Sequence, residues 1–124
     1  MKPEQSQTQR IKKALGVKRD GDLPGVDDDP LHSYYRYLTQ HLSLPFAAFY
    51  PQRVGPFDEP VYACDVIRLL DPKVYHNGHF LGVFCVARNC EHLVELPVIE
   101  LDIDETGPTF QLIEDYWFWF WNWS

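Results

Sequence analysis

The chain has 124 residues, which is the size of one domain with a single hydrophobic core. Apolar residues make up 45% and charged residues 23%, which is typical of a globular domain and not of a disordered chain. The net charge of −7 divides into +5 over residues 1–19 and −12 over residues 20–124. Such an acidic domain is not expected to bind nucleic acid, because that binding depends on Lys and Arg. The charge favours a cation as partner.

Several common signals are absent from the sequence. No apolar stretch approaches the roughly 20 residues that cross a bilayer, and no secretory signal is visible at the start. The three cysteines form an odd set, which is typical of reduced thiols. There is no Gly-rich phosphate loop and no His-Glu-x-x-His motif. We therefore expect a cytoplasmic protein without a membrane span or disulfides.

The first predicted element is a helix that follows a leader. Residues 1–28 have almost no periodic apolar pattern and predict a flexible leader, first basic and then acidic, before a single domain over residues 29–124. A helix from about 30 to 42 is predicted, with Asp29 as its N-cap and Pro30 at its first position. Its apolar face is formed by Leu31, Tyr34, Tyr35, Leu38 and Leu42.

The middle of the chain has the composition of β-structure. Short apolar runs separated by Pro, Gly and Asn predict four or five antiparallel strands. These runs are Phe46–Tyr50, Val61–Leu70, Phe80–Ala87 and Glu91–Leu96, with a turn at His76–His79 and a connection or tight helical turn at Val98–Leu101. The predicted fold class is mainly β (α+β): a small antiparallel SH3-like β-barrel flanked by an N-terminal helix and an aromatic C-terminal helix.

The C-terminal region is rich in tryptophan. Residues 116–123 hold seven of the nineteen aromatic residues, including all four tryptophans. Pro108 can open a helix there, but Trp119 and Trp123 lie off its main apolar face. Packing in the core or as a plug of the barrel is the favoured interpretation. A surface for a protein partner is the second, and membrane anchoring is disfavoured because the helix lacks a basic face.

The best candidate metal site is the segment Asp102–Gly107. Its Asp-x-Asp-x-Thr-Gly pattern resembles the start of an EF-hand loop, whose carboxylate oxygens bind Ca²⁺. The twelfth position is Ile113 and not Glu, so a non-EF-hand calcium site is the hypothesis, and a solvated acidic loop is its simpler alternative. The candidate ligands are Asp102, Asp104, Glu114 and Asp115, with Glu59 or Asp58 from a neighbouring loop.

Other kinds of site are weaker hypotheses. A zinc site would use Cys85, Cys90 and His92, completed by Cys64 or by His76 and His79. A Cys–His catalytic pair would join Cys90 to His92 or His41, yet nothing places an orienting group beside it, so no enzyme is expected. A helix cap with solvated charge explains Asp27–Asp29 more simply than metal binding does.

Three segments together resemble the CcbP family of small cyanobacterial calcium-binding proteins. The segments are Tyr34–Leu38 continuing through Leu42–Ala48, then Glu95–Leu101, and finally Ile113–Trp119. The resemblance implies a small β-barrel that binds calcium without EF-hands, in a buffering or signalling role. It carries over only Glu114 and Asp115 as site residues, and Thr39-Gln40-His41 stands where family members tend to have acids. We expect a non-catalytic calcium-binding protein, and the alternative is an interaction module that docks through its aromatic tail without metal.

Overall fold

The computed structural model describes residues 3–51, 61–75, 81–103 and 107–123. In chain order the elements are α1 (Pro3–Leu15), α2 (Asp28–His41), β1 (Phe46–Pro51), β2 (Val61–Leu70), β3 (Phe84–Asn89), β4 (His92–Pro97), a 3-10 turn (Val98–Glu100) and α3 (Gly107–Trp123). The fold class is α+β, and each predicted run of β-structure contains a strand. The predicted turn at His76–His79 lies outside the described residues.

The four strands form one antiparallel sheet in the order β1-β2-β3-β4. Cys85 on β3 lies opposite Leu69 on β2 and Leu96 on β4, which sets the register of the central strand. An isolated bridge joins Phe49 on β1 to Asp102, so the chain returns to the β1 edge after β4. Within the described ranges β1 and β4 do not pair and the sheet is not closed, so the SH3-like barrel is not confirmed.

Helix α2 confirms the helix predicted at this place, although it begins earlier. Its N-cap is Asp27 and not Asp29, and the Asp27 side chain makes no capping hydrogen bond. The Leu31 amide donates to the Asp27 carbonyl at 2.9 Å. Pro30 therefore lies within the first turn, where its missing N–H costs nothing because those amides have no partner inside the helix. The buried residues of α2 are Leu31, Tyr34 and Leu38.

Strand β3 begins later than the predicted strand Phe80–Ala87 because of Gly82. Gly82 has φ +79°, a left-handed conformation that does not continue a strand. A Cβ at this position would collide with the Tyr116 hydroxyl and with the Phe120 ring. The next residue, Val83, donates its backbone N–H to the Tyr116 hydroxyl at 2.8 Å. Because the chain packs closely against α3 at Gly82, strand β3 begins only at Phe84.

Helix α1 differs from the expected flexible leader. Ile11, Ala14 and Leu15 are buried in the same hydrophobic core as residues of α2 and α3. Gly16 ends the helix with φ +72°, and the Val17 amide donates to the Lys12 carbonyl at 2.9 Å. The single apolar turn of α1 packs against α2 and α3, and this packing stabilises the helix.

The centre of the molecule is aromatic. The Tyr34 ring lies 5.2 Å from the Tyr116 ring and 5.3 Å from the Trp119 ring, measured between centroids. Trp119 donates its indole N–H to the Pro24 carbonyl at 2.9 Å, and Val26 donates its amide to the Trp123 carbonyl at 3.0 Å. Core packing, the favoured interpretation, therefore holds for one face of α3, which includes Tyr116, Trp119 and Phe120. The predicted face was wrong in two positions: Trp119, expected off the apolar face, is fully buried, whereas Trp121, expected on it, is 63% exposed. None of the helices in the described ranges is both long and apolar enough to span a membrane.

Candidate metal centre

Asp102 stands where the returning chain meets the sheet. Its backbone N–H donates to the Phe49 carbonyl and the Phe49 N–H donates to the Asp102 carbonyl, both at 2.7 Å. Its neighbours Leu101 and Ile103 are buried, whereas Asp102 itself is exposed. Two backbone hydrogen bonds and two buried neighbours therefore fix the backbone of Asp102 at the edge of the sheet, and its side chain is exposed to solvent.

The rest of the candidate loop joins this anchor to α3. Asp104 lies two residues after Asp102, outside the described residues. The helix begins at Gly107, whose φ of +87° suits a glycine, and no atom lies within 4 Å of the place of its Cβ. The segment between two fixed ends is thus short, with Asp102 at one end and Gly107 at the other.

Glu114 lies far along α3 from this segment. It comes seven positions after Gly107, which corresponds to about 10 Å along the helix axis at the usual rise per residue. Its side chain is exposed and borders a cleft of about 410 Å³ together with Gln7, Trp117, Phe118, Trp121 and Asn122. Glu114 therefore lies two helical turns from the end of α3 that meets this segment.

Asp115 is held by an arginine. It is 3% exposed, and Arg10 of α1 donates Nε to its Oδ2 at 2.7 Å and Nη2 to its Oδ1 at 3.1 Å. Gln7 donates Nε2 to Oδ1 at 3.2 Å. The hydrogen bond to this carboxylate raises the pKa of Arg10 above its ordinary value, although partial burial opposes the shift. A calcium ion at Asp115 would have to displace this guanidinium, so the carboxylate acts here as the counter-ion of Arg10.

The predicted ligands are not gathered into one cluster in the part of the chain that the structure describes. Glu59 and Asp58 lie outside the described residues, as Asp104 does. Among the described residues no three His, Cys, Asp or Glu side chains lie together as they would around a metal ion. Asp102, Glu114 and Asp115 are thus three separate carboxylates: one anchored and exposed, one on the outer face of α3, and one buried with Arg10.

The described cysteine and histidine residues do not form a group of three that could hold a zinc ion. Cys85 is fully buried in β3, whereas Cys90 is exposed in the tight turn between β3 and β4. Burial raises the pKa of the Cys85 thiol to about 12, so the free thiol stays protonated at neutral pH and is a poor nucleophile. His76 and His79 lie outside the described residues.

The three acids at the N-terminal end of α2, Asp27–Asp29, form an exposed acidic rim around a cleft. Asp27, Asp28 and Asp29 are exposed and border a cleft of about 660 Å³ with Val26 and Pro30. Lys73 Nζ lies 3.7 Å from Asp29 Oδ1, a weak surface ion pair. The acids stand at the positive end of the helix dipole and are exposed, which agrees with solvated charge, although the Asp27 side chain makes no capping hydrogen bond.

Sequence reasoning missed Arg10, the residue that decides the role of Asp115. A signal for it existed: Ile11, Ala14 and Leu15 have the i, i+3, i+4 spacing of a buried helix turn. Arg10 lies beside that turn, so it can reach inward. The contact itself spans 105 residues of sequence, and no local pattern reports it.

Two solved structures resemble this fold. Anabaena CcbP has a TM-score of 0.68 at 15% identity, with 96% of this chain and 92% of that chain covered. A calcium-binding protein in its calcium-binding form has a TM-score of 0.65 at 14% identity, covering 94% of this chain and 90% of that one. The chain shares its fold with these two proteins. No family sequence model matches it, and no curated protein does.

The likeness extends over nearly the whole chain. The uncovered share is smaller than the 13 residues of α1, so the likeness to CcbP reaches that helix as well. The resemblance to the CcbP family, which rests on three short motifs of the sequence, is confirmed at the level of the fold. At 14–15% identity, the likeness concerns the path of the chain and not the individual ligands.

Proposed function

We propose that this chain is a non-catalytic calcium-binding protein with a site that is not an EF-hand. The observation that carries the proposal is its fold, which matches a protein solved in its calcium-binding form over 94% of the chain. The charge agrees, since residues 20–124 carry a net charge of −12 and Ca²⁺ prefers carboxylate and carbonyl oxygens.

We place the site at the segment Asp102–Gly107. Asp102 is exposed and anchored, and Asp104 follows with one residue between them, a spacing at which two carboxylates can share one ion. The loop that carries Glu59 leaves β1 at Pro51, two residues after the Phe49 that bridges to Asp102. That loop therefore starts beside the candidate site, which supports Glu59 as a third ligand.

Two predicted ligands are left out of this proposed coordination. Asp115 already accepts hydrogen bonds from Arg10 and Gln7, and replacing a guanidinium with a metal ion would open the contact between α1 and α3. Glu114 lies two helical turns beyond Gly107 on the outer face of α3.

Calorimetric titration of chelator-treated protein with CaCl₂ tests the proposal, with MgCl₂ in a parallel titration. The double variant Asp102→Asn/Asp104→Asn should lose the calcium heat. The matched control is Asp20→Asn/Asp22→Asn, which has the same residue types, spacing and charge change; Asp20 and Asp22 are exposed and far from the segment in sequence. Loss of heat only in the first variant supports the site. No heat at millimolar calcium, or equal loss in both variants, overturns it.

The same protein distinguishes a buffer from a sensor. A sensor changes conformation on binding, and the half-buried Trp117, which donates its indole N–H to the Val98 carbonyl at 3.1 Å, lies near the chain that leads to Asp102. Calcium-dependent tryptophan emission that disappears in Asp102→Asn/Asp104→Asn would indicate a sensor. Calorimetric binding without any change in emission would indicate a buffer.

A second candidate function is protein interaction through the outer face of α3. Trp121 is 63% exposed and Phe118 is 38% exposed, and both border the cleft that contains Glu114. Large exposed aromatic groups mark binding surfaces, and α3 contains acids but no Lys or Arg. Charge complementarity and cation–π attraction therefore favour a partner that presents an arginine or lysine side chain.

Titration with an arginine-rich peptide, followed by tryptophan fluorescence, tests this second function. Trp121→Gln should weaken the peptide's affinity, because Trp121 is exposed and its replacement leaves the buried Trp119 in place. An unchanged affinity in Trp121→Gln would show that the peptide recognises only the overall acidity of the chain. Calcium heat that survives in Trp121→Gln separates the two functions.

A further inference from the structure

A small cavity lies between the last turn of α1 and the outer face of α2. Its volume is about 220 Å³, and its lining from α2 has the i, i+3, i+4, i+7 spacing of one helix face. The lining includes Lys13 and Gly16 at the end of α1 and Ser33, Arg36, Tyr37 and Gln40 of α2. The lining therefore contains two cations, several neutral polar groups and no acid.

The two cations have no counter-ion in the described ranges. The ion pairs there join Arg10 to Asp115, His32 to Asp71 and Lys73 to Asp29. Lys13 and Arg36 take part in none of them, and both side chains are exposed. In a chain of net charge −7, two neighbouring cations without an acidic partner leave a local excess of positive charge.

The surroundings of the cavity preserve this excess. Residues 1–19 carry a net charge of +5, so the α1 side of the cavity is the basic part of the chain. The C-terminal carbonyl groups of α1 would oppose an anion, but two of them are already hydrogen-bonded: Lys12 O accepts from Val17 N and Lys13 O accepts from Gly16 N. The Tyr37 ring, 4.1 Å from the His41 ring between centroids, gives the cavity a packed aromatic wall.

We propose that this cavity binds a phosphate monoester. Arg36 supplies a planar guanidinium that can donate two parallel hydrogen bonds to phosphate oxygens, and Lys13 supplies a second positive charge. The hydroxyl of Ser33 and the amide of Gln40 add neutral donors on the same helix face. The cavity is open to solvent and small, about 220 Å³, and a short ester such as glycerol 3-phosphate can fill it.

The same phosphate chemistry can come from a soluble metabolite or from a lipid headgroup. Glycerol 3-phosphate represents the first source, and phosphatidylcholine vesicles that contain phosphatidic acid represent the second. Both are titrated at constant ionic strength into chelator-treated full-length protein, with calorimetry for the ester and co-sedimentation for the vesicles. Because no calcium is present, the outcome is independent of the proposed calcium site.

The variants compare the cavity with a cation elsewhere. Arg36→Gln removes the guanidinium from the exposed face of α2. The affinity should fall at least about tenfold, because the loss of a hydrogen bond to a charged group reduces binding by about this factor. Lys13→Gln should weaken it as well. Arg68→Gln is the control, because Arg68 is an exposed arginine on β2 and gives the same change in net charge.

Each outcome decides the proposal. Binding of glycerol 3-phosphate that Arg36→Gln weakens and Arg68→Gln preserves supports it with a soluble ligand. The same pattern with vesicles alone supports it with a lipid headgroup. Absence of binding to both probes at millimolar phosphate overturns it, and so does equal weakening by Arg36→Gln and Arg68→Gln, which would mean unspecific attraction to surface charge.

Discussion

Arg10 Nε lies 2.7 Å from Asp115 Oδ2, and this contact joins the first helix of the protein to the last. The carboxylate is nearly enclosed, with 4% of its side chain exposed, whereas the arginine side chain is 34% exposed. Burying a carboxylate without a charged partner costs free energy, so Arg10 stabilises the folded protein chiefly by neutralising Asp115. Helix α1 therefore contributes to the stability of the domain, because its Arg10 neutralises a charge in the core.

Replacing Arg10 with methionine should destabilise the protein by about 2–3 kcal/mol, because Asp115 loses its charge-assisted hydrogen bonds while it remains buried. The double variant Arg10→Met/Asp115→Leu should be less unstable than the sum of the two single variants, since no uncompensated charge remains. Urea denaturation measures all three. Additive effects would contradict the account, as they would indicate that the two side chains act independently.

Replacing Gly82 with alanine should be far more damaging than replacing Gly16. Both glycines have positive φ, but a Cβ at Gly82 would strike Tyr116 and Phe120, whereas nothing lies within 4 Å of one at Gly16. We expect a loss of about 1 kcal/mol for Gly16→Ala from backbone strain alone, and about 2–4 kcal/mol for Gly82→Ala from strain with overpacking. Equal losses in urea denaturation would show that the Gly82–Tyr116 packing is not tight.

Stability should fall as the pH rises above about 9. Burial raises the pKa of Cys85 from 9.0 to about 12, and burial also raises the pKa values of Tyr34 and Tyr116. The folded protein then keeps protons that the unfolded chain releases, so this stabilisation is complete below the unfolded pKa and is lost on going up through that range. For Cys85 alone, the unfolding constant should rise tenfold per pH unit between 9 and 12.

Cys85→Ala isolates that contribution. The variant should lose some stability at pH 7 because it leaves a small void in β3, but its stability should depend less steeply on pH above 9. Denaturation midpoints at several pH values between 7 and 11 provide the measurement. A variant whose midpoints run parallel to those of the parent protein over this range would contradict the assignment to Cys85.

The three cysteines should react with iodoacetamide at very different rates. Cys90 is exposed in the β3–β4 turn, whereas Cys64 and Cys85 are buried and burial raises the pKa of both thiols. Mass spectrometry of native protein at pH 8 should find one adduct, on Cys90, and three adducts after unfolding in urea. Rapid modification of Cys64 in native protein would show that the β1–β2 pair opens easily.

Much of the fold could be predicted because its helices and strands follow from local sequence patterns. The apolar residues of α2 repeat with helical spacing, and β2 is bounded in sequence by Pro60 and by Asp71-Pro72. The flexible leader and the closed barrel, which the described residues do not confirm, depend on contacts between distant parts of the chain. Helix α1 has a single buried turn whose value appears only when α2 and α3 cover it, and barrel closure depends on a pairing of β1 with β4 that no local pattern specifies.

The candidate site was less predictable than the fold. The sequence singled out the acids around α3 as candidate ligands, but it treated Asp115 like its neighbour Glu114. Helical geometry turns adjacent residues about 100° apart, so one of these carboxylates faces the core and the other faces solvent. Which of the two carboxylates is buried depends on the side of α3 that α1 covers. This is a tertiary contact that the local sequence does not specify.

Calcium binding at Asp102–Gly107 is the central claim, and NMR titration tests it most directly. Amide correlation spectra of chelator-treated ¹⁵N-labelled protein are followed as CaCl₂ is added. We predict saturable shifts concentrated on residues 102–107 and on Phe49, whose N–H and C=O bond to Asp102, with Gly16 and Ser33 unchanged. Unchanged spectra at millimolar calcium, or shifts centred on the rim Asp27–Asp29 instead, would contradict the account.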